Sequence, residues 1–404
     1  DWFAEMNKND KGLKDRSPIW SKSEVNISDW KTLKVPGAWE DQGLEMDGVV
    51  WLRKQVNVAA DMLSKPVFLE LGLIDDIDST YVNGKFIGTK NNRYLARRYE
   101  IPQGLLKVGE NTIVVRVVDK EGKGGIIAGK QYRLINDDKE IDLTGDWLYK
   151  VGHVMPAMPV NTFLRLDYLP GIQYYSKLQP ISNYTIKGAA WYQGEANTGK
   201  PEEYKTLLPA MIKDWRTLWG QGDFPFLVVQ LANYMAPATE PQDGGWPRLR
   251  EAQQFVANTV PNVGLALAID IGETNDIHPL NKKDVGRRLA LSAFKVAYKD
   301  KNAEEPVTQF DKMSIDGNKL IVSFKNLNRG LQAKNGALKQ FAVAGADQKF
   351  YWAKAIIKNG KVEVWSDKVK QPVAVRYAWA NNPEGSNLYN LNGLPIAPFR
   401  SDNW

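Results

Sequence analysis

The sequence predicts a layered α/β core flanked by two β-rich units, and three observations carry that expectation. Residues 25–149 alternate apolar and polar positions between turn-forming dipeptides. From about residue 180 to 300, short apolar runs alternate with stretches of 3.6-residue periodicity, the pattern of a parallel sheet flanked by helices. From residue 305 the strand-like alternation returns.

In chain order, residues 67–71, 79–82 and 86–88 read as strands, and Asn83-Gly84 between the last two is a strong hairpin signal. Gly109-Glu110-Asn111 precedes Thr112-Ile113-Val114-Val115-Arg116-Val117-Val118, a β-branched run of the right length for a sandwich strand. Further on, 186–192, 226–231 and 263–269 are the expected parallel strands. Residues 203–219 put Tyr204, Leu207, Met211, Trp215 and Leu218 on one helical face, with Pro209 expected to kink or split that helix. Val285, Leu289, Ala293 and Val296 repeat the same spacing. Strands are then expected at 319–324, 361–365 and 374–379. With no internal repeat and no low-complexity linker, the units are expected to pack on one another.

The 404 residues carry a formal charge of +6, but Lys and Arg alternate with Asp and Glu rather than forming blocks. That describes a solvated surface, not a nucleic-acid-binding face. Zero cysteines exclude disulfides, thiolate metal sites and a cysteine nucleophile. With only two separated histidines, neither a zinc site nor any other cofactor is expected. No apolar run approaches the roughly 20 residues that span a bilayer. Asp1-Trp2-Phe3 does not resemble a basic signal-peptide start. The 14 tryptophans and 16 tyrosines suit sugar faces as well as cores.

Asn275-Asp276-Ile277-His278-Pro279 sets a carboxylate two residues before one of the two imidazoles. An acid held beside a histidine fixes its tautomer and stabilises the imidazolium formed on proton uptake, which is the base half of a nucleophilic hydrolase. The plainer reading is a surface turn before a helix, with Asp276 as its cap. Asp270 and Asn275 compete as partners for His278. His153 has no companion motif and reads as structural or solvent-exposed.

Trp191-Tyr192-Gln193-Gly194-Glu195-Ala196-Asn197 leaves a strand end at the carboxyl edge, where open α/β sheets carry their sites. The Gln193 amide can there donate to a developing oxyanion, with Gly194, Glu195 and Asn197 as its polar surroundings. A strand-end hydrogen-bonding turn is the alternative. The stretch from Gly124 to Gln131 nearly spells a phosphate-binding loop, but Gln131 stands where a hydroxyl would hold Mg²⁺ and no helical periodicity follows. The sequons at Asn26 and Asn183 carry little weight by themselves.

As an ordered series, these motifs resemble the sialate O-acetylesterase family of the SGNH hydrolase superfamily. The series runs from Ile186-Lys187-Gly188 and the Trp191 to Asn197 motif through Asp214-Trp215-Arg216, Phe224-Pro225-Phe226 and Arg250-Glu251-Ala252-Gln253. It continues with Asp270-Ile271-Gly272-Glu273, Asp276-Ile277-His278-Pro279, Asn281-Lys282 and Val285-Gly286, and ends at Pro398-Phe399-Arg400. Earlier, Val35-Pro36-Gly37, Asp75-Asp76, Asn83-Gly84 and Gly109-Glu110-Asn111 look like the galactose-binding-like jelly roll that this family inserts into its hydrolase domain. That sandwich is also similar to one found in family 2 glycoside hydrolases.

The resemblance implies an SGNH-type, flavodoxin-like three-layer core that is partial in this chain. Its units would be 1–24 as a remainder of the N-terminal hydrolase part or a linker, 25–149 as the jelly roll, 150–304 as the C-terminal part of the core and 305–404 as a C-terminal β-sandwich-like domain. It implies a serine esterase that removes acetyl groups from sugars through an acyl-enzyme, with His278 as base and then acid, Asp276 orienting it and Gln193 in the oxyanion hole. The family's nucleophile sits in a Gly-Gln-Ser-Asn block, which occurs nowhere in this sequence. The expectation is therefore that Asp1 is not the biological start, and that an upstream fragment of the same protein carries the serine and stays bound. The superfamily also commonly places its acid three residues before the histidine, where this chain has Asn275. The expected substrate is an O-acetylated sugar, sialic acid or a plant glycan, and the expected location is the bacterial periplasm or exterior. A non-catalytic carbohydrate-binding protein on the same scaffold is the alternative, and a glycosidase with Glu195 as its acid is a third reading.

Overall fold

In the run 112–118 one face is wholly apolar, Ile113, Val115 and Val117, and the other sets Val114 and Val118 beside Thr112 and Arg116; both are buried, and covering both organises the first half of the chain. The computed structural model describes residues 2–159 and 169–404, which form two compact units, Asp1–Leu164 and Arg165–Trp404. Overall the fold is β-rich.

In the first unit an N-terminal helix, α1 (Trp2–Asn9), precedes ten principal strands. They are β1 (Lys31–Val35), β2 (Asp47–Val58), β3 (Phe68–Asp75), β4 (Ile77–Val82), β5 (Lys85–Lys90), β6 (Arg97–Glu100), β7 (Gly109–Asp119), β8 (Gly125–Ile135), β9 (Glu140–Asp142) and β10 (Gly145–Met155). Two antiparallel sheets face each other, in the orders β1-β10-β2-β7-β4-β5 and β9-β8-β3-β6. Ile113, Val115 and Val117 of β7 join Val50, Leu52 and Val56 of β2 in the core between the sheets. Val114 and Val118 face the other way and are covered by Met6, Trp30 and Trp51.

Residues 2–24, in the stretch expected to be a remainder of the N-terminal hydrolase part or a linker, contribute to this cover. Met6 is buried, and the Asp10 carboxylate accepts from Trp51 Nε1 at 3.0 Å and pairs with Arg116 Nε at 2.7 Å. Without them the outer face of β2 and β7 would lie open to water. The expected hairpin at Asn83-Gly84 joins β4 to β5. The stretch resembling a phosphate loop lies in β8, paired with β3. His153 lies in β10, in register with Val49 beside a bulge.

The second unit contains a parallel sheet in the order β11 (Ala189–Trp191), β12 (Phe226–Val229), β13 (Val263–Ala266). Three helices follow these strands in turn: α2 (Pro201–Trp219), α3 (Gly245–Thr259) and α4 (Lys282–Val296). Right-handed crossovers that advance in one direction put consecutive helices on one face. Accordingly α2 and α3 pack together on Phe226, Val228, Val263 and Leu265, while Val285 of α4 packs with Val229 and Ala268. The paired strands are shorter than the apolar runs, because Leu231, Leu267 and Ile269 are buried beyond the strand ends.

Helix α2 departs from its expected form in two ways. Pro209 lies inside a continuous helix, where one missing backbone hydrogen bond is outweighed by packing of the buried face. That face is Tyr204, Leu208, Ile212 and Arg216, while Leu207 is exposed. Adjacent leucines leave the periodicity ambiguous by one residue. Arg216 is drawn inward because its guanidinium donates to the carbonyls of Phe224 and Pro261.

Residues after 305 form two four-stranded antiparallel sheets and one strand pair around their own core. The expected boundary at 305 is crossed by buried side chains: Ile269 belongs to the C-terminal core, and Val307 and Ala397 belong to the core of the parallel sheet. Among the described residues no helix is long and apolar enough to cross a membrane.

Candidate active site

Parallel pairing sends the chain out of β11, β12 and β13 at the same edge of the sheet, so Gln193, Asn233 and His278 all follow strand ends on that edge. Gly194 makes the first turn possible. Its φ is 153°, and a Cβ there would stand 2.6 Å from Leu249 Cδ2, so only glycine fits.

Gln193 is held from several directions. Its Nε2 donates to Asn197 Oδ1 at 3.0 Å, and Tyr204 Oη lies 3.2 Å from both its Oε1 and its main-chain oxygen. Gln253 Nε2 donates to that same main-chain oxygen at 3.1 Å while Gln253 Oε1 accepts from Leu231 N–H at 2.9 Å, which ties the β11 exit to the β12 exit. Tyr192 packs against Val229, Ala268 and Val285, and Lys282 Nζ stands 5.1 Å from its ring centroid. Burial, together with the charge of Glu195, pushes the Tyr192 phenol up to about 12.

Asp276 is buried and His278 is exposed. The His278 backbone N–H donates to Asp276 Oδ1 at 2.7 Å, an Asx-type turn, and the imidazole Nδ1 lies 3.8 Å from the same oxygen. The carboxylate thus fixes the backbone of the histidine and sits beside its ring, beyond hydrogen-bond length. Asp276 is not the helix cap: Asn281 Oδ1 accepts from Asp284 N–H at 3.1 Å and caps α4.

The other candidate acid is engaged elsewhere. Arg288 pairs with both oxygens of Asp270, at 2.6 and 2.8 Å, and Tyr389 Oη donates to Oδ2 at 2.8 Å. Asn275 is exposed in the same turn. Among the described residues no group of three or more His, Asp or Glu side chains could hold a metal ion.

The sequence reading missed the support of these loops. Arg250 is fully buried, and its guanidinium donates to the carbonyls of Leu231, Ala232, Ala380 and Asn381 at 2.7–2.8 Å. Burial pushes it down to about 9. Arg250 and Gln253 stood in a motif, but nothing in their spacing says that they brace a loop. Asn233, Asn382 and Tyr389 lay in no motif at all.

Residues 170–295 match the family model described as carbohydrate esterase, sialic acid-specific acetylesterase, a stretch that includes both Gln193 and His278. Over this stretch the chain is similar to the sialate O-acetylesterases. It is 30% identical over 274 residues to the sialate O-acetylesterase of Mus musculus, covering 61% of this chain and 49% of that one. The Homo sapiens sialate O-acetylesterase is 28% identical over 254 residues, covering 56% and 48%. The chain therefore spans about half the length of these curated relatives. A crystal structure of a carbohydrate acetylesterase from Xanthomonas citri superposes with a TM-score of 0.52 at 27% identity, covering 84% of this chain and 96% of that one.

Proposed function

We propose that this chain is the histidine-bearing part of a carbohydrate O-acetylesterase. The observation that carries the reading is the placement of a histidine beside a buried aspartate, and of a braced glutamine amide, at one edge of a parallel sheet. In this reading His278 takes the proton of a serine hydroxyl as that oxygen attacks the acetyl carbonyl. With Nδ1 toward Asp276, Nε2 is the nitrogen that accepts it. An amide has two N–H groups; one of Gln193's goes to Asn197, and the second is assigned to the oxyanion. The imidazolium then returns the proton to the departing sugar oxygen, and water, activated by the same imidazole, releases acetate from the serine.

We assign the serine to a polypeptide segment outside these 404 residues, since no Gly-Gln-Ser-Asn block is present in them. The form of the sheet supports this. Among the described residues β11 is paired along one side only, and Ala190 in its middle is exposed, whereas parallel sheets are ordinarily covered on both faces. The parallel sheet with α2 to α4 is then the partial SGNH-type core, and the first unit is the jelly roll of galactose-binding type. The substrate is an O-acetylated sugar, and the substrate class alone suggests the periplasm or the cell exterior.

The deciding experiment is aryl-acetate hydrolysis by the protein together with everything that co-purifies with it. Acetate release that is lost in His278→Ala, with a companion segment bearing the serine identified by mass, supports the esterase. Saturable sugar binding with no turnover in the complete protein would replace it with the non-catalytic carbohydrate-binding reading. The dense bonding around Gln193 is equally compatible with that second reading.

A further inference from the structure

The C-terminal β region sends one buried amide into the loop that carries His278. Asn382 lies between the strands Ala374–Tyr377 and Leu388–Asn390 and is fully buried. Its Nδ2 donates to the Met235 carbonyl at 2.6 Å and to Thr274 Oγ1 at 3.1 Å, and its Oδ1 accepts from Asn233 Nδ2 at 2.9 Å. Asn233 Oδ1 accepts in turn from the Gly272 N–H at 2.7 Å. A Cβ at Gly272 would stand 2.0 Å from the Asn233 carbonyl oxygen, so the close approach needs glycine.

Side-chain amides therefore join three segments: the exit of β12, the exit of β13 and the turn at 381–382. The line continues to the histidine. Met235 N–H donates to the Thr274 carbonyl at 3.1 Å, Glu273 and Asp276 form a β-bridge, and the Leu280 N–H donates to Glu273 Oε1 at 2.7 Å. Between those last anchors Asp276 receives the His278 N–H. The two donors and one carbonyl of Asn382 are each matched in a single orientation, so the side chain fixes a register rather than filling space.

We propose that Asn382 is a positioning residue for His278, holding the 272–274 segment so that the imidazole is presented at the carboxyl edge of the sheet. Its catalytic meaning rests on the reading of His278 as general base, but its structural content does not.

The two histidines of the chain give a direct test, because His153 lies in the other unit and serves as an internal reference. Imidazole cross-peaks are recorded by NMR at fixed pH for the wild type, Asn382→Leu and Thr274→Val. The inference requires the His278 peak to move or split in Asn382→Leu and to move less in Thr274→Val, with His153 unchanged in both. If Asn382→Leu does not fold, the Thr274→Val spectrum decides. A His278 peak unchanged in the folded variants overturns the proposal. In the complete, active protein, Asn382→Leu should lower kcat about 10- to 100-fold with KM nearly constant, since misplacement by about 1 Å costs on the order of 10²-fold. Absence of turnover in the wild type would sink the esterase reading, while the NMR result would still stand for or against the positioning role.

Discussion

Asp119 offers a quantitative test of the first unit. It ends β7, is fully buried, and its Oδ1 accepts from the Glu121 N–H at 3.2 Å, while Oδ2 meets no hydrogen-bond donor among the described residues. Burial, and then the charges of Asp47, Asp76, Glu40 and Asp75, push its carboxyl up from 3.8 to about 8. A carboxyl raised in the folded state holds its proton where the unfolded chain releases it. Its stabilising contribution is therefore complete below about pH 4 and is lost as pH rises to about 8. Between pH 5.5 and 8, at 1.36 kcal/mol per unit, the loss is about 3 kcal/mol. For a unit of this size that corresponds to roughly 6–12 °C in melting temperature. The perturbation is Asp119→Asn, which keeps an oxygen for the Glu121 N–H and has no charge to bury. Thermal unfolding of the first unit, followed by circular dichroism at both pH values, should show a drop in the wild type that is several degrees larger than in the variant. Asp75, pushed up to about 7 by burial and then by Asp76, acts in the same direction and leaves some pH dependence in Asp119→Asn. Equal drops in the two proteins would refute the reasoning.

Asp276→Asn keeps an acceptor for the His278 N–H and removes only the charge, so the fold should be retained while kcat falls steeply; steady-state kinetics beside a melting curve separate the two effects. Gln193→Ala should lower kcat by roughly 10²–10³ if its amide serves the oxyanion, and unchanged turnover would return it to a structural role. Gly194→Ala forces a Cβ into Leu249 and an unfavourable φ, destabilising by roughly 1–3 kcal/mol. Chemical denaturation of the variant beside the wild type reads this loss, and an unchanged midpoint would show that the turn tolerates a side chain at this position.

How legible was all this in the sequence? The loops bearing Gln193 and His278 could be placed at strand ends because short apolar runs followed by helical periodicity already imply a parallel sheet and its carboxyl edge. Local chemistry was only partly readable: the two-residue spacing of Asp276 and His278 was visible, but the cap of α4 was looked for at Asp276 and is Asn281, three residues before Asp284. What could not be read were partners far apart in the chain. Arg288 takes Asp270 out of competition for the histidine with help from Tyr389, more than a hundred residues away. The leucine pair in α2 shows a second limit: periodicity sets a face only to within one residue, and the inward turn of Arg216 depends on carbonyls that no pattern reveals.

Arg250 joins the β12 exit to the segment at 380–381. Four carbonyls from two separate segments converge on one guanidinium, in a place where burial disfavours charge strongly enough to bring the group down to about 9. A hydrophobic side chain of similar length would avoid that penalty but leave the carbonyls without this donor, at about 1–3 kcal/mol for each one that stays buried and unmatched. A lysine supplies three donors from a single point, which cannot reproduce a planar fork facing Leu231 and Ala232 on one side and Ala380 and Asn381 on the other. Arg250→Lys should therefore destabilise the second unit nearly as much as Arg250→Met, by several kcal/mol, as measured by chemical denaturation. If lysine were fully tolerated, the carbonyl convergence would not be what holds these loops, and the bracing of the β12 exit would have to come from Gln253, Trp246 and the Asn233–Asn382 pair.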